Sequence, residues 1–91
     1  MKTAWLVQVN SGAVYMRAYT SYERAIKYYN ENVDLIEEHV EEHVEERNYD
    51  KTVTKAHGSK EIVTHFKQWN EEYRYYTTLG LVSIKEIELE D

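Results

Sequence analysis

The chain has 91 residues, of which 42% are hydrophobic, 31% charged and 13% aromatic, and its formal charge is −6. This length predicts one domain over residues 1–91, since single domains hold about 100 to 200 residues. The absence of cysteine excludes disulfides, a Cys-based zinc site and a thiol nucleophile. Apolar residues never run for the ~18 positions that a membrane-spanning helix needs, so we expect a cytoplasmic protein with no membrane partner.

The N-terminal part of the chain predicts a β-hairpin. Thr3–Val9 and Ala13–Tyr19 are rich in strand-forming residues, and Asn10–Gly12 between them tolerates the positive φ of a tight turn. We therefore place a hairpin at residues 3–19.

A long helix follows the hairpin. Thr20 and Glu23 form a capping-box pattern, in which each side chain bonds a free amide at a helix start. Seven apolar residues then recur at spacings of three and four: Tyr22, Ile26, Tyr29, Val33, Ile36, Val40 and Val44. This stripe predicts a helix over residues 21–47, although Asn30 and Asn32 leave open two collinear pieces with a kink.

The remainder of the chain predicts a second helix and a last strand. Residues 51–56 are compatible with either a short strand or a loop. A stripe at spacings of four and three predicts a helix over residues 60–76: Ile62, Phe66, Trp69, Tyr73 and Tyr76. Residues 81–89 alternate apolar and polar side chains, with a phase slip near Glu86 that indicates a bulge. The predicted fold is a two-layer α+β domain of β-β-α-α-β order, in which two helices pack on a three-stranded antiparallel sheet.

The acidic residues are concentrated in the long helix. Glu31 to Glu46 contains eight of them and no lysine or arginine, whereas the rest of the chain has a net charge of +2. Positions four apart share a helix face, so the carboxylates form two adjacent rows. The number of negative charges per ångström of helix axis approaches that of duplex DNA, to within about a factor of two. We assign seven of them as a candidate partner-binding site: Asp34, Glu37, Glu38, Glu41, Glu42, Glu45 and Glu46.

Such a field attracts basic proteins and repels nucleic acid, which excludes direct DNA binding. The alternative interpretation is a solvated helix face that keeps the protein soluble. Against it, ordinary solvent faces mix both signs of charge.

His39 and His43 suggest a different chemistry for the same helix. With Glu42 they match the H-x-x-E-H pattern of inverted zinc metalloproteases. A catalytic zinc also needs a third ligand and an open coordination position, and the pattern arises automatically from a repeated Glu-Glu-His-Val unit. We therefore expect no metal, no cofactor and no enzymatic activity, and the sequence contains no G-x-S-x-G or Walker pattern. A zinc-binding enzyme or sensor that uses His39 and His43 is the weaker alternative.

Four tyrosines and Trp69 allow two interpretations. The sequence favours most of them as core residues, with an exposed patch and a homodimer contact as the alternative: Tyr28, Trp69, Tyr73, Tyr75 and Tyr76.

The chain resembles small accessory proteins of bacteriophages in two strings, Thr20–Ala25 (TSYERA) and Ile84–Leu89 (IKEIEL). Its compact acidic composition is similar to that of phage host-takeover and anti-defence proteins of the DNA-mimic type. The resemblance implies an inhibitor of a basic, nucleic-acid-binding host protein acting in the bacterial cytoplasm, and it does not identify the target. We expect a histone-like nucleoid-associated protein first, because such a protein binds DNA with little sequence preference and offers a large cationic surface. The alternative function is a protein-interaction adaptor or structural subunit that docks through an aromatic surface.

Overall fold

The computed structural model describes residues 2–44, 48–56 and 61–89. Within these ranges the chain forms one helix and five strands, and its Cα atoms extend over 51 × 24 × 20 Å. No helix in these ranges is both long enough and apolar enough to cross a membrane. The elements are β1 (Lys2–Asn10), β2 (Val14–Tyr19), α1 (Tyr22–His43), β3 (Tyr49–Ala56), β4 (Glu61–Asn70) and β5 (Tyr75–Leu89).

The strands form a single antiparallel sheet in the order β2-β1-β5-β4-β3. The N-terminal hairpin lies where the sequence predicts it, and β5 is the central strand, paired with both β1 and β4. β2 and β3 are the two edge strands, so the chain from β2 to β3 carries α1 across the sheet. The predicted fold of three strands and two helices is therefore wrong: the structure is a five-stranded antiparallel sheet covered on one face by one helix.

The second predicted helix, residues 60–76, is wrong, because residues 61–76 form β4, a turn and the start of β5. Ile62 and Phe66 are four apart, and an even spacing also places two residues on one face of a strand. Thr64 between them faces the same way and is buried, but its polar side chain hides the strand alternation in the sequence. The final strand begins at Tyr75 rather than at residue 81, and the ambiguous residues 51–56 belong to β3.

α1 is one continuous helix from Tyr22 to His43. Its N-cap is Ser21, one residue after the predicted Thr20, and the Ser21 hydroxyl accepts a hydrogen bond from the Arg24 amide at 3.4 Å. No kink occurs at Asn30–Asn32, where the side-chain amide of Asn32 donates a hydrogen bond to the Tyr28 carbonyl at 2.8 Å. The helix ends at His43, and the predicted extension over residues 45–47 falls outside the described residues.

The core lies between α1 and the sheet. It is built from the apolar stripe of α1 and the side chains of β1, β4 and β5 that face it: Val7, Val9, Ala25, Tyr29, Val33, Ile36, Val40, Phe66, Val82 and Ile84. Gly80 on β5 allows the close approach of the helix, because a Cβ there would lie 2.7 Å from Cγ2 of Ile36. The buried hydroxyls of Tyr29 and Thr64 hydrogen-bond to each other across this interface.

The opposite face of the sheet, which we call the open face, carries no helix within the described part of the chain. The expected bulge near Glu86 is absent, because β1 and β5 pair in continuous register through that residue. The phase slip arises because Ile84 faces α1 whereas Ile87 belongs to the open face. The register irregularity lies between Phe66 and Lys67 instead.

Candidate functional site

The outward side of α1 carries a group of exposed carboxylates, which we call the acidic face: Glu31, Asp34, Glu38, Glu41 and Glu42. At ~100° per residue they fall within about 100° of helix arc, centred about 160° from the buried stripe. The stripe packs on the sheet and fixes the rotation of the helix. The acidic face therefore points directly away from the core.

The acidic face is a dense linear array of charge. Eleven residues separate Glu31 from Glu42, or ~17 Å at ~1.5 Å per residue, which gives about one carboxylate every 3 Å. Duplex DNA has one charge per ~1.7 Å of axis. Five carboxylates on one helix thus reach about half the linear charge density of a nucleic acid.

Only the border of this array is neutralised by the chain itself. Nζ of Lys51 on β3 lies 2.8 Å from Oε2 of Glu37 and forms an ion pair with it. Glu37 lies between the buried stripe and the acidic face, so Lys51 does not reach the outward carboxylates. Of the candidate partner-binding residues, Asp34, Glu38, Glu41 and Glu42 are exposed, Glu37 is paired, and Glu45 and Glu46 lie outside the described residues.

The acidic face acts against the stability of its own helix. Asp34, Glu38 and Glu42 are successive i,i+4 neighbours, and each like-charged pair costs about 0.2 to 0.5 kcal/mol in an isolated helix. Glu41 and Glu42 also lie in the last turn, next to the negative end of the helix dipole, where about 0.3 to 1 kcal/mol favours cations instead. This arrangement does not serve folding.

An apolar side chain lies within the acidic face. Leu35 is 63% exposed and lines a shallow surface depression together with Glu31, Asp34 and Glu38. A partner that approaches the carboxylates would also contact this leucine.

The two cations of α1, Arg24 and Lys27, lie in its N-terminal half, together with Glu23 and Glu31. Arg24 and Lys27 line a second depression with Arg17 and Tyr19 of β2 and Tyr28 of the helix. The guanidinium carbon of Arg17 lies 5.0 Å from the Tyr28 ring centroid, and a hydrogen bond with Tyr19 raises the pKa of Arg17. Glu31 lines the same depression and follows Lys27 by one helical turn, so these cations border the N-terminal end of the acidic face, and Asp34, Glu38, Glu41 and Glu42 lie beyond them.

The structure exposes an aromatic cluster that the sequence favours as core. The outer end of the β4–β5 hairpin, which we call the aromatic arm, carries Trp69, Tyr73, Tyr75 and Tyr76, each between 38% and 64% exposed. The Trp69 and Tyr76 ring centroids are 4.8 Å apart in edge-to-face geometry, and Nζ of Lys67 lies 4.5 Å from the Tyr76 centroid. Tyr28, by contrast, is half-buried against the core.

The turn in the arm is formed without glycine or proline. The Asn70 carbonyl accepts from the Arg74 amide at 2.7 Å, the Asn70 side chain accepts from the Tyr73 amide at 3.0 Å, and Arg74 adopts a φ of 55°. The asparagine was the one residue that could have indicated this turn in the sequence.

His39 and His43 are exposed on α1, and their ring centroids lie 4.4 Å apart. Across the described ranges, no group of three or more histidine, aspartate or glutamate side chains is arranged to hold a metal ion. The structure therefore brings the two histidines together without showing a third ligand.

No family model, curated protein or solved structure matches this chain.

Proposed function

We propose that the chain is a non-enzymatic inhibitor whose acidic face occupies the DNA-binding surface of a basic host protein and competes with DNA. The observation that supports it best is an array of five exposed carboxylates on a rigid helix, directed away from the core and unpaired by any described cation. This is the mode of action of the phage host-takeover proteins that the sequence resembles.

The expected binding has a clear electrostatic signature. A basic surface evolved to contact phosphates meets carboxylates at comparable spacing, which raises the association rate and suppresses partners of the wrong charge. The Debye screening length shortens from ~10 Å at 0.1 M salt to ~3 Å at 1 M, so the affinity for the partner should fall as salt is added. Leu35 supplies apolar contact within the charged surface and hence part of the specificity.

A histone-like nucleoid-associated protein is the first target to test. Such a protein binds DNA with little sequence preference, so a surface that reproduces only charge and spacing can replace its ligand. The test is an electrophoretic mobility-shift competition, in which the chain is titrated into a preformed complex of that protein with DNA. We expect micromolar concentrations of the chain to release free DNA.

Matched variants separate the acidic face from net charge. The variant E38Q/E41Q/E42Q removes three carboxylates of the acidic face, whereas D50N/E71Q/E88Q removes three exposed carboxylates elsewhere. Both have a formal charge of −3, three units above the −6 of the wild-type chain. We expect the first to weaken competition by about tenfold or more, equivalent to ~1.4 kcal/mol, and the second to compete like the wild type. Equal loss in both variants, or no release of DNA from any basic host protein, would refute the proposal.

A second candidate function is an adaptor or structural subunit that docks through the aromatic arm. It is favoured by the exposure of Trp69 and Tyr75, since large aromatic side chains are enriched at interface centres. In this case W69A and Y75A abolish capture of the partner, whereas 0.5 M salt and E38Q/E41Q/E42Q do not. The DNA-mimic proposal requires the reverse pattern.

A further inference from the structure

The two edges of the sheet are built differently. β3 carries three ionisable side chains, Asp50, Lys51 and Lys55, and charged residues of this kind block the pairing of an edge with other strands. β2 contains a single ionisable cation, Arg17, and no lysine or proline. Only the β3 edge has the usual protection.

Three large hydrophobic side chains of β2 are also exposed, and they lie on both sides of the sheet. Val14 is 64%, Tyr15 59% and Met16 60% exposed. Within the described ranges, the backbone of β2 is paired only with β1, which leaves its other side open. An exposed, apolar, unprotected edge is a template for another strand.

We propose that β2 pairs antiparallel with β2 of a second copy of this chain, about a two-fold axis at Met16, to form a continuous ten-stranded sheet. Tyr15 and Arg17 are on the α1 side of the sheet, and Val14, Met16 and Ala18 are on the open face. A two-fold axis perpendicular to the sheet pairs residues of the same face, so it passes through a residue rather than between two.

Strand overlap and charge together select the register. Axes at Met16 and at Arg17 pair five residues of each β2, whereas axes at Tyr15 and at Ala18 pair only three. An axis at Arg17 sets the two guanidinium groups directly opposite each other, and opposed like charges destabilise a strand pair. An axis at Met16 sets each Arg17 opposite Tyr15 of the other copy, which offers a second aromatic partner to a cation that already lies 5.0 Å from the Tyr28 ring of its own chain. The same register sets Met16 opposite Met16 and Val14 opposite Ala18. The strand is thus complementary to itself, which is the reason to assign a second copy rather than a different protein.

This dimer would leave the acidic faces accessible. Both copies of α1 lie on the same side of the extended sheet, and the acidic face points away from it. The inference rests on the β2 edge and does not depend on the proposed function.

The first test is the oligomeric state. Analytical ultracentrifugation from about 10 to about 500 μM spans the affinities expected of a small interface, and the mass should rise from 10.9 kDa toward twice that value. M16K places a charge at the axis and should keep the chain monomeric throughout. V53K adds the same charge at an equally accessible position on the other edge, since Val53 is 53% exposed, and should dimerise like the wild type.

A second measurement tests the register. Because the chain has no cysteine, single cysteines report contact between copies without background. Directly opposed Cβ atoms lie ~4.5 to 5.5 Å apart, close to disulfide geometry, so M16C should form a disulfide-linked dimer under mild oxidation. A18C on the same face and V53C on the other edge should remain at least tenfold less cross-linked.

A monomeric wild-type chain at all concentrations would overturn the inference and leave the β2 edge to a strand of another protein. A dimer that persists in M16K but is lost in V53K would overturn it in favour of β3. Both outcomes are independent of the DNA-competition result.

Discussion

On the inward side of α1, Tyr29, Val33, Ile36 and Val40 are buried against the sheet, whereas on its outward side five carboxylates and Leu35 face solvent. The inward side makes the contacts that hold the helix in place. The outward side contributes repulsion between neighbouring charges and an unfavourable interaction with the helix dipole. One helix therefore carries a face that is required for folding and a face that folding does not explain.

Packing of the inward side on the sheet explains how α1 can carry the acidic face. An isolated helix with such a charge pattern would be marginal, because most helix stability in proteins comes from packing of the amphipathic face. The sheet supplies that packing through Phe66 and Val82. The outward positions are then free to carry residues selected for another purpose.

Ile36 and Leu35 are adjacent residues with isomeric side chains, so truncating each one compares the two faces of the helix directly. Ile36 is 5% exposed and packs on Gly80, whereas Leu35 is 63% exposed. We expect Ile36→Ala to lower the free energy of unfolding by about 2 to 5 kcal/mol through lost burial and a cavity. Leu35→Ala should change it by less than about 0.5 kcal/mol. Urea denaturation measures both, and similar losses at the two positions would contradict the division of the helix into two faces.

The hydrogen bond between Tyr29 and Thr64 is the polar part of the inward contact. Thr64 is 2% exposed, so Tyr29→Phe leaves its hydroxyl buried without this partner, at a cost of about 1 to 3 kcal/mol. The double variant Tyr29→Phe/Thr64→Val removes both polar groups and should recover part of that loss. Additive losses in the double-mutant cycle would show that the two hydroxyls are not coupled.

The same tyrosine predicts a pH dependence. Burial raises the pKa of Tyr29, opposed by its hydrogen bond with Thr64 and by the charge of Lys51. A raised pKa in the folded state favours the neutral phenol, so this contribution to stability is complete below about pH 10 and is lost as pH rises further. The stability difference between the wild type and Tyr29→Phe should therefore shrink above about pH 10.

Much of the helix was accessible from the sequence, and much of the sheet was not. The stripe from Tyr29 to Val40 has no consistent strand alternation, so it indicated the helix and also the direction of its carboxylates. Ile62 and Phe66 fit both periods, and Thr64, the residue that would have decided between them, is polar because it bonds Tyr29. Residues 61–70 form a strand because they pair with β3 and β5, and this long-range pairing cannot be read from the local sequence pattern.

The aromatic arm was missed for a related reason. Trp69 and Tyr76 continue the helical stripe that the sequence predicts, and this stripe favours them as core residues. In the structure they are cross-strand neighbours on the open face of a hairpin that extends past β3. The turn at residues 71–74 has no glycine or proline, and Arg74 takes the positive φ itself, so the usual sign of a hairpin was absent.

The smallest predicted change in stability concerns the outward side of α1, where removal of carboxylates should stabilise the protein. In E38Q/E41Q/E42Q, relief of the i,i+4 repulsions and of the dipole interaction should raise the free energy of unfolding by about 1 kcal/mol. For a domain of this size that corresponds to about 4 to 8 °C in Tm, and the gain should shrink at ~1 M salt, where the Debye screening length is short.

Glu37→Gln is the control, because it loses an ion pair worth about 0 to 1 kcal/mol at a part-exposed site and relieves repulsion of similar size. Its stability should stay near the wild-type value. A triple variant less stable than the wild type would mean that these carboxylates make contacts that favour folding, and the acidic face would then need no partner to explain it.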